Sequence, residues 1–214
     1  MSTTRVKFCG LTRARDVEAA IEIGANAVGF VCYPGSARYV ALETLRELAG
    51  AVAPFVTPVL LFVNAGDDSV ERALEAVPNA MLQFHGDETA AQCARFKRPF
   101  LRAVRMADGV DLLDCEREYT SAIGIMVDAP AEGYGGGGRS FDWTRLPAAA
   151  VRSKPLVLAG GLTATNVGVA IAAVRPFAVD VSSGIEESPG LKSVEKMRRF
   201  CAAVRAADLA LETQ

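Results

Sequence analysis

His85 is the only histidine in 214 residues, which excludes a metal centre built on several imidazoles. The five cysteines, Cys9, Cys32, Cys93, Cys115 and Cys201, are odd in number and scattered, with no Cys-x-x-Cys among them. That pattern indicates neither a disulfide framework nor a zinc site. Basic clusters are missing too: 23 Lys and Arg face 25 Asp and Glu, a net charge of −2. A chain without a positive face has little with which to neutralise nucleic-acid phosphates. No apolar run reaches the length needed to span a bilayer, and Met1-Ser2-Thr3-Thr4-Arg5 shows no signal-peptide pattern. The expectation is a cytoplasmic protein that meets a small molecule, with no nucleic acid and no membrane as partner. A monomer is the default state and a homodimer the alternative.

Half of the residues are hydrophobic, and they fall into short β-branched runs alternating with amphipathic segments. The runs predict strands over 6–9, 27–31, 59–63, 81–84, 100–104, 123–127, 156–159 and 177–181. Helical spacing is carried by Val17, Ala20 and Ile21 up to Gly24, and by Leu42, Leu45, Leu48, Ala49 and Val52 up to Pro54. It recurs in Val70, Ala73, Leu74 and Val77, over 90–96, and, weakly patterned, over 110–118. A glycine-rich loop and a short helical stretch near 143–149 follow the sixth strand. Val167, Ala170, Ile171 and Val174, then Val194, Met197, Cys201 and Val204, mark the last two helices. Eight strand-helix units in this length leave about 27 residues apiece, close to the minimum for a strand, a helix and two short connections. The economical fold is therefore α/β, a single-domain (β/α)8 TIM barrel over 1–214. An open doubly wound sheet is the structural competitor.

A barrel of this kind keeps its chemistry at the C-terminal strand ends and the loops after them. Few polar residues stand there. The stretch Lys7-Phe8-Cys9-Gly10-Leu11-Thr12 ends a strand on a thiol, turns on glycine and reaches a hydroxyl residue that can cap the next helix. Gly161-Leu162-Thr163 repeats the pattern after the seventh strand, as common turn chemistry. Taken alone, Cys9 is also an ordinary small core residue. Asp128 ends an apolar run, where it can cap the following loop or, enclosed, hold a proton as a general acid. His85 reads as a hydrogen-bonded structural residue or substrate contact rather than a base. Arg38 is either a solvated surface arginine or a two-pronged partner for a carboxylate. Asp180 reads as a brace between neighbouring loops. Gly160-Gly161 and Ser182-Ser183-Gly184 occupy the seventh and eighth loops, where this fold builds its phosphate cradle from backbone N–H groups. Gly184→Val is accordingly expected to impair binding of a phosphorylated ligand without lowering the melting temperature.

These residues together resemble a known family. Lys7-Phe8-Cys9-Gly10-Leu11-Thr12, Ser36-Ala37-Arg38-Tyr39, Leu82-Gln83-Phe84-His85-Gly86, Val127-Asp128, Tyr134-Gly135-Gly136-Gly137-Gly138 with Phe141-Asp142-Trp143, Gly160-Gly161-Leu162 and Val179-Asp180-Val181-Ser182-Ser183-Gly184-Ile185-Glu186 are similar, in order and over nearly the whole chain, to phosphoribosylanthranilate isomerases of tryptophan biosynthesis. Gly137 stands where the family usually has a hydroxyl residue, and Ala37 where it has proline or another residue. The resemblance implies an Amadori rearrangement of N-(5-phosphoribosyl)anthranilate to 1-(2-carboxyphenylamino)-1-deoxyribulose 5-phosphate. It makes Asp128 the general acid and the Cys9 thiolate the base. Arg38 then holds the anthranilate carboxylate, with His85 a further substrate contact, and Gly160, Gly161, Ser182, Ser183 and Gly184 hold the phosphate. No metal and no organic cofactor are needed. A free thiol is mostly protonated at neutral pH, so the site must supply positive potential. Lys7 is read as pointing to the other face of its strand, which leaves helix-start dipoles as the source.

Two other readings stay open at this stage. An isomerase of the histidine-pathway aminoaldose would carry two phosphate cradles and an aspartate as base where this chain has Cys9. A barrel that only binds phosphoribosyl ligands, or that uses Cys9 as a redox sensor, would bind or oxidise without turnover.

Overall fold

The structure is a computed structural model that describes residues 3–130 and 140–213. Eight parallel strands follow one another around a closed barrel: β1 Arg5–Cys9, β2 Ala27–Val31, β3 Thr57–Phe62, β4 Met81–Phe84, β5 Phe100–Arg105, β6 Gly124–Asp128, β7 Leu156–Leu158 and β8 Ala178–Val181. Closure is made by β8 pairing with β1, which sets Lys7 opposite Asp180, while β1 meets β2 with Cys9 opposite Gly29. The expected (β/α)8 barrel is thus the fold, and the doubly wound alternative falls because β8 closes onto β1 and leaves none of these eight strands at an edge.

Side chains alternate across a strand with period two, and here both faces are covered. Outward-facing Phe8, Phe30, Leu60, Phe62, Leu82, Ile125, Leu158 and Val179 pack under the helices in the main core. Inward-facing Leu101, Ala103, Met126, Val157, Ala159 and Ala178 fill one side of the barrel. Among the described residues seven helices cover the outside: α1 Ala14–Ile23, α2 Leu42–Gly50, α3 Asp67–Ala76, α4 Ala90–Ala94, α5 Leu112–Glu118, α6 Val167–Val174 and α7 Val194–Glu212. Gly24 ends α1 as expected, at φ 102° with its N–H on the carbonyls of Ala20 and Ile21.

Two local expectations are corrected, and one element is added. Between β6 and β7 the described residues form no α-helix; the short helical stretch expected near 143–149 is two 3-10 turns, Trp143–Arg145 and Ala149–Val151. Neither threonine caps its helix: α1 starts after Arg13, and Thr12 Oγ1 donates instead to the Gly190 carbonyl (2.6 Å), while α6 starts after Asn166. After β8 the chain adds a small hairpin, β9 Glu186–Ser188 and β10 Leu191–Lys192, that brings Lys192 opposite Glu186. The glycine-rich loop, with Tyr134 to Gly138, lies outside the described residues.

Candidate active site

Cys9 is the last residue of β1 and faces the barrel interior, buried. Lys7 does the same. The expectation that it turns away is wrong for a simple reason: residues two apart on a strand share a face. Lys7 Nζ donates to Asp180 Oδ1 at 2.6 Å with both side chains buried, so Asp180 pairs across β1 and β8 rather than bracing loops. Burial pushes the Cys9 thiol above its ordinary value, with Lys7 pulling against that and Asp180 adding to it. Burial alone would lower the Lys7 ammonium, yet Asp180 and Cys9 together hold it above its usual range.

Asp128 ends β6 and is buried at the mouth. Its Oδ1 accepts from the Ala129 N–H (2.8 Å) and its Oδ2 lies 3.3 Å from His85 Nε2. Gln83, on the same face of β4 two residues before His85, places Nε2 3.0 Å from His85 Nδ1. With that amide as donor, Nδ1 is the acceptor and the imidazole proton sits on Nε2, aimed at Asp128. His85 therefore joins the site as a hydrogen-bonded residue, and sequence reasoning missed Gln83, whose signal was the same period of two.

Arg38 stands in the loop after β2 with its fork already engaged: Nε and Nη2 donate to Glu186 Oε1 and Oε2, both at 2.7 Å. Lys192 Nζ reaches the same Oε1 at 2.7 Å and also the Ser182 carbonyl (3.0 Å) and hydroxyl (3.2 Å). Burial would raise the Glu186 carboxyl, but its bonds to Arg38 and Lys192 outweigh that and hold it below its ordinary value. Burial lowers Lys192 despite the pull of Glu186 in the other direction. Lys192 carried no local sequence signal, because only the β9–β10 hairpin folds it back over the mouth.

Gly160 and Gly161, both at positive φ, and Ser182 and Ser183 lie side by side at the ends of β7 and β8. Gly184 differs from them. A Cβ there would stand 1.9 Å from the Leu162 carbonyl oxygen, so glycine is what lets the two loops touch, and Gly184→Val must disturb the backbone rather than leave stability unchanged. One pocket gathers the rest: Cys9, Arg38, His85, Asp128, Gly160, Gly161, Ser182 and Ser183 all line it, with Gln83 and Asp180. The arrangement offers a thiol from β1, a carboxyl from β6, the Arg38 guanidinium and the small-residue loops after β7 and β8, all in one pocket. That suits proton transfer within an anionic substrate.

Comparison with known proteins bears on the family and the fold. A family model described as N-(5'phosphoribosyl)anthranilate (PRA) isomerase matches residues 6–203. An N-(5'-phosphoribosyl)anthranilate isomerase from Leptothrix cholodnii is 56% identical over 205 residues, covering 96% of this chain and 92% of the relative. The crystal structure of phosphoribosyl anthranilate isomerase from Thermotoga maritima superposes with a TM-score of 0.81 at 36% identity, over 95% of this chain and 100% of that one. Another such isomerase, solved in complex with reduced 1-(o-carboxyphenylamino)-1-deoxyribulose 5-phosphate, gives a TM-score of 0.78 at 34% identity, again over 95% and 100%.

Proposed function

The chain belongs to the N-(5'-phosphoribosyl)anthranilate isomerase family, and from that premise we propose how its own residues carry the reaction. The activity is the Amadori rearrangement of N-(5-phosphoribosyl)anthranilate to 1-(2-carboxyphenylamino)-1-deoxyribulose 5-phosphate, an aldose-to-ketose isomerisation of tryptophan biosynthesis. Asp128 delivers a proton to the furanose oxygen, so the ring opens as the nitrogen lone pair forms the C1=N bond. The Schiff base acidifies C2–H, and the Cys9 thiolate removes that proton to give the enolamine. Ketonisation follows: the thiol returns a proton to C1 and the O2 proton goes back to Asp128, restoring both groups. Arg38 recognises the anthranilate carboxylate, and His85 keeps Asp128 oriented against the substrate. Gly160, Gly161, Ser182 and Ser183 bind the phosphate, with Gly184 setting the loop that carries the two serines. Fixing both ends of the substrate aligns C2 with the thiol, a positioning effect that can supply several kcal/mol.

The observation that carries this reading is that Cys9 and Asp128 line one pocket from β1 and β6 with the two small-residue loops beside them. Its test is turnover of phosphoribosylanthranilate, followed by substrate fluorescence, in Cys9→Ala and Asp128→Asn. General acid-base groups typically contribute about 10²–10⁴-fold, so each variant should lose that much kcat while binding product nearly as well. Near-normal turnover in either one removes its assignment. No helix among the described residues is long and apolar enough to cross a membrane. We further place the protein in the cytoplasm as a monomer, and sedimentation velocity distinguishes that state from a homodimer.

A further inference from the structure

We propose that the Lys7 ammonium, anchored on Asp180, pairs with the Cys9 thiolate and is the positioning residue for the base. The proposal rests on the reading of Cys9 as the group that takes the C2 proton. Three placements carry it. Lys7 and Cys9 share the inward face of β1, and Asp180 stands directly across from Lys7 on β8. On the other flank, Gly29 of β2 is paired with Cys9, and the point where a Cβ of Gly29 would sit is 2.8 Å from Cys9 Sγ and 3.1 Å from Lys7 Nζ. The sulfur and the ammonium thus converge on the space that this glycine leaves open, and any side chain there would enter it. Finally, an ammonium has three hydrogens, Asp180 Oδ1 takes one, and a lysine only 3% exposed needs further partners.

The other charged groups facing Cys9 are already engaged. Lys192, from β10, spends its donors on Ser182 and Glu186. Arg38, from the loop after β2, is held two-pronged by Glu186. Both still contribute positive potential at the sulfur, and His85 and Asp128 complete the opposite wall of the pocket. Lys7 is the largest influence opposing burial of the thiol, and Asp180 keeps Lys7 itself charged. Through the cycle the sulfur gains and returns the C2 proton while Lys7 keeps all of its own.

Lys7→Met tests this on the intact protein. Iodoacetamide alkylation of Cys9 is followed against pH, with peptide mass spectrometry separating it from the other four cysteines. Removing the ammonium should raise the pH of half-maximal reactivity by about one unit or more, which slows alkylation roughly tenfold at neutral pH. Kcat should fall while KM changes little, and raising the assay pH should restore part of the loss. Lys7→Met/Asp180→Asn removes the carboxylate that the single change strands in the interior, and it should shift the profile in the same direction by less. A folded variant, single or double, whose Cys9 profile equals the parent's overturns the proposal. If the profile shifts as expected but Cys9→Ala retains turnover, the pairing stands and only the base assignment fails.

Discussion

Two buried ion pairs sit on opposite sides of the same barrel wall and teach different lessons. On the outside, Arg102 of β5 donates to Glu88 Oε2 (3.0 Å) and to the carbonyls of Phe84 (3.3 Å) and Gly86 (2.9 Å). Glu88 in turn accepts from the backbone N–H groups of Asn64 (2.6 Å) and Gly86 (2.8 Å). The Tyr119 ring lies 4.9 Å from the guanidinium and its hydroxyl donates to the Glu88 carbonyl. That pair ties three loops to the wall through backbone groups, so it acts as scaffold. On the inside, Lys7 has one carboxylate contact with Asp180 and turns the remainder of its charge toward a thiol. Similar chemistry on the outer and inner faces of the barrel serves shape in one case and reactivity in the other.

The comparison is broken most directly at Glu88. Glu88→Ala strands a buried guanidinium, which typically costs about 3–5 kcal/mol, so urea unfolding should show a loss of that size. At a temperature where the variant stays folded, kcat should remain within a few-fold of the parent. A large kcat loss with little loss of stability would make the outer pair part of the site.

Gly184→Val comes next. With the Leu162 carbonyl 1.9 Å from the new Cβ, the β7 and β8 loops must separate, at about 1–3 kcal/mol by analogy with overpacked cores. Product affinity should fall with it. Unchanged melting together with normal product binding would show that the loops need not touch.

Arg38→Ala removes a guanidinium worth about 1.5–3 kcal/mol in a charge-assisted bond, and should lower kcat/KM at least tenfold. An analogue without the aryl carboxylate separates recognition from structure. It should react equally with parent and variant if Arg38 reads the carboxylate, whereas equal losses on both substrates would mean that Arg38 only holds Glu186.

The smallest effect concerns pH. Glu186 is held below its ordinary value by Arg38 and Lys192 against the contrary pull of burial. Its contribution to stability is present above about pH 4.5, its unperturbed range, and is lost as pH falls through the lower folded value. Lys7 is shifted upward, so its contribution is present below about pH 10.4 and is lost only as pH rises through the still higher folded value. Glu186→Gln should flatten the acid side of the stability curve and leave the alkaline side alone. Equal slopes below pH 5 in parent and variant would show that the hairpin carboxylate contributes nothing.

Much of this was legible in the chain. The eight apolar runs place the strands within a residue or two, since parallel strands covered on both sides need continuous hydrophobic stretches. Cys9, His85 and Asp128 were legible because each stands at or just past the C-terminal end of such a run. Lys7 was misread although the information was present, in the alternation that sets residues 7 and 9 on one face. The stretch after β6 was less legible: Trp143 to Ala149 is short and interrupted by Pro147, which an α-helix does not carry in its interior, and so short a stretch does not distinguish a helix from successive 3-10 turns.

The sequence by itself determined the number of barrel strands, their order and the residue types at the strand ends, because periodicity and turn chemistry are local properties of the chain. Only the tertiary structure decided who faces whom. Barrel closure sets Lys7 beside Asp180, which lies 173 residues away. The hairpin after β8 returns Lys192 and Glu186 to Arg38, and Gly29 matters because β2 places it against Cys9. Pairings of that kind depend on strand register and on the space between neighbouring strands, which no stretch of sequence contains.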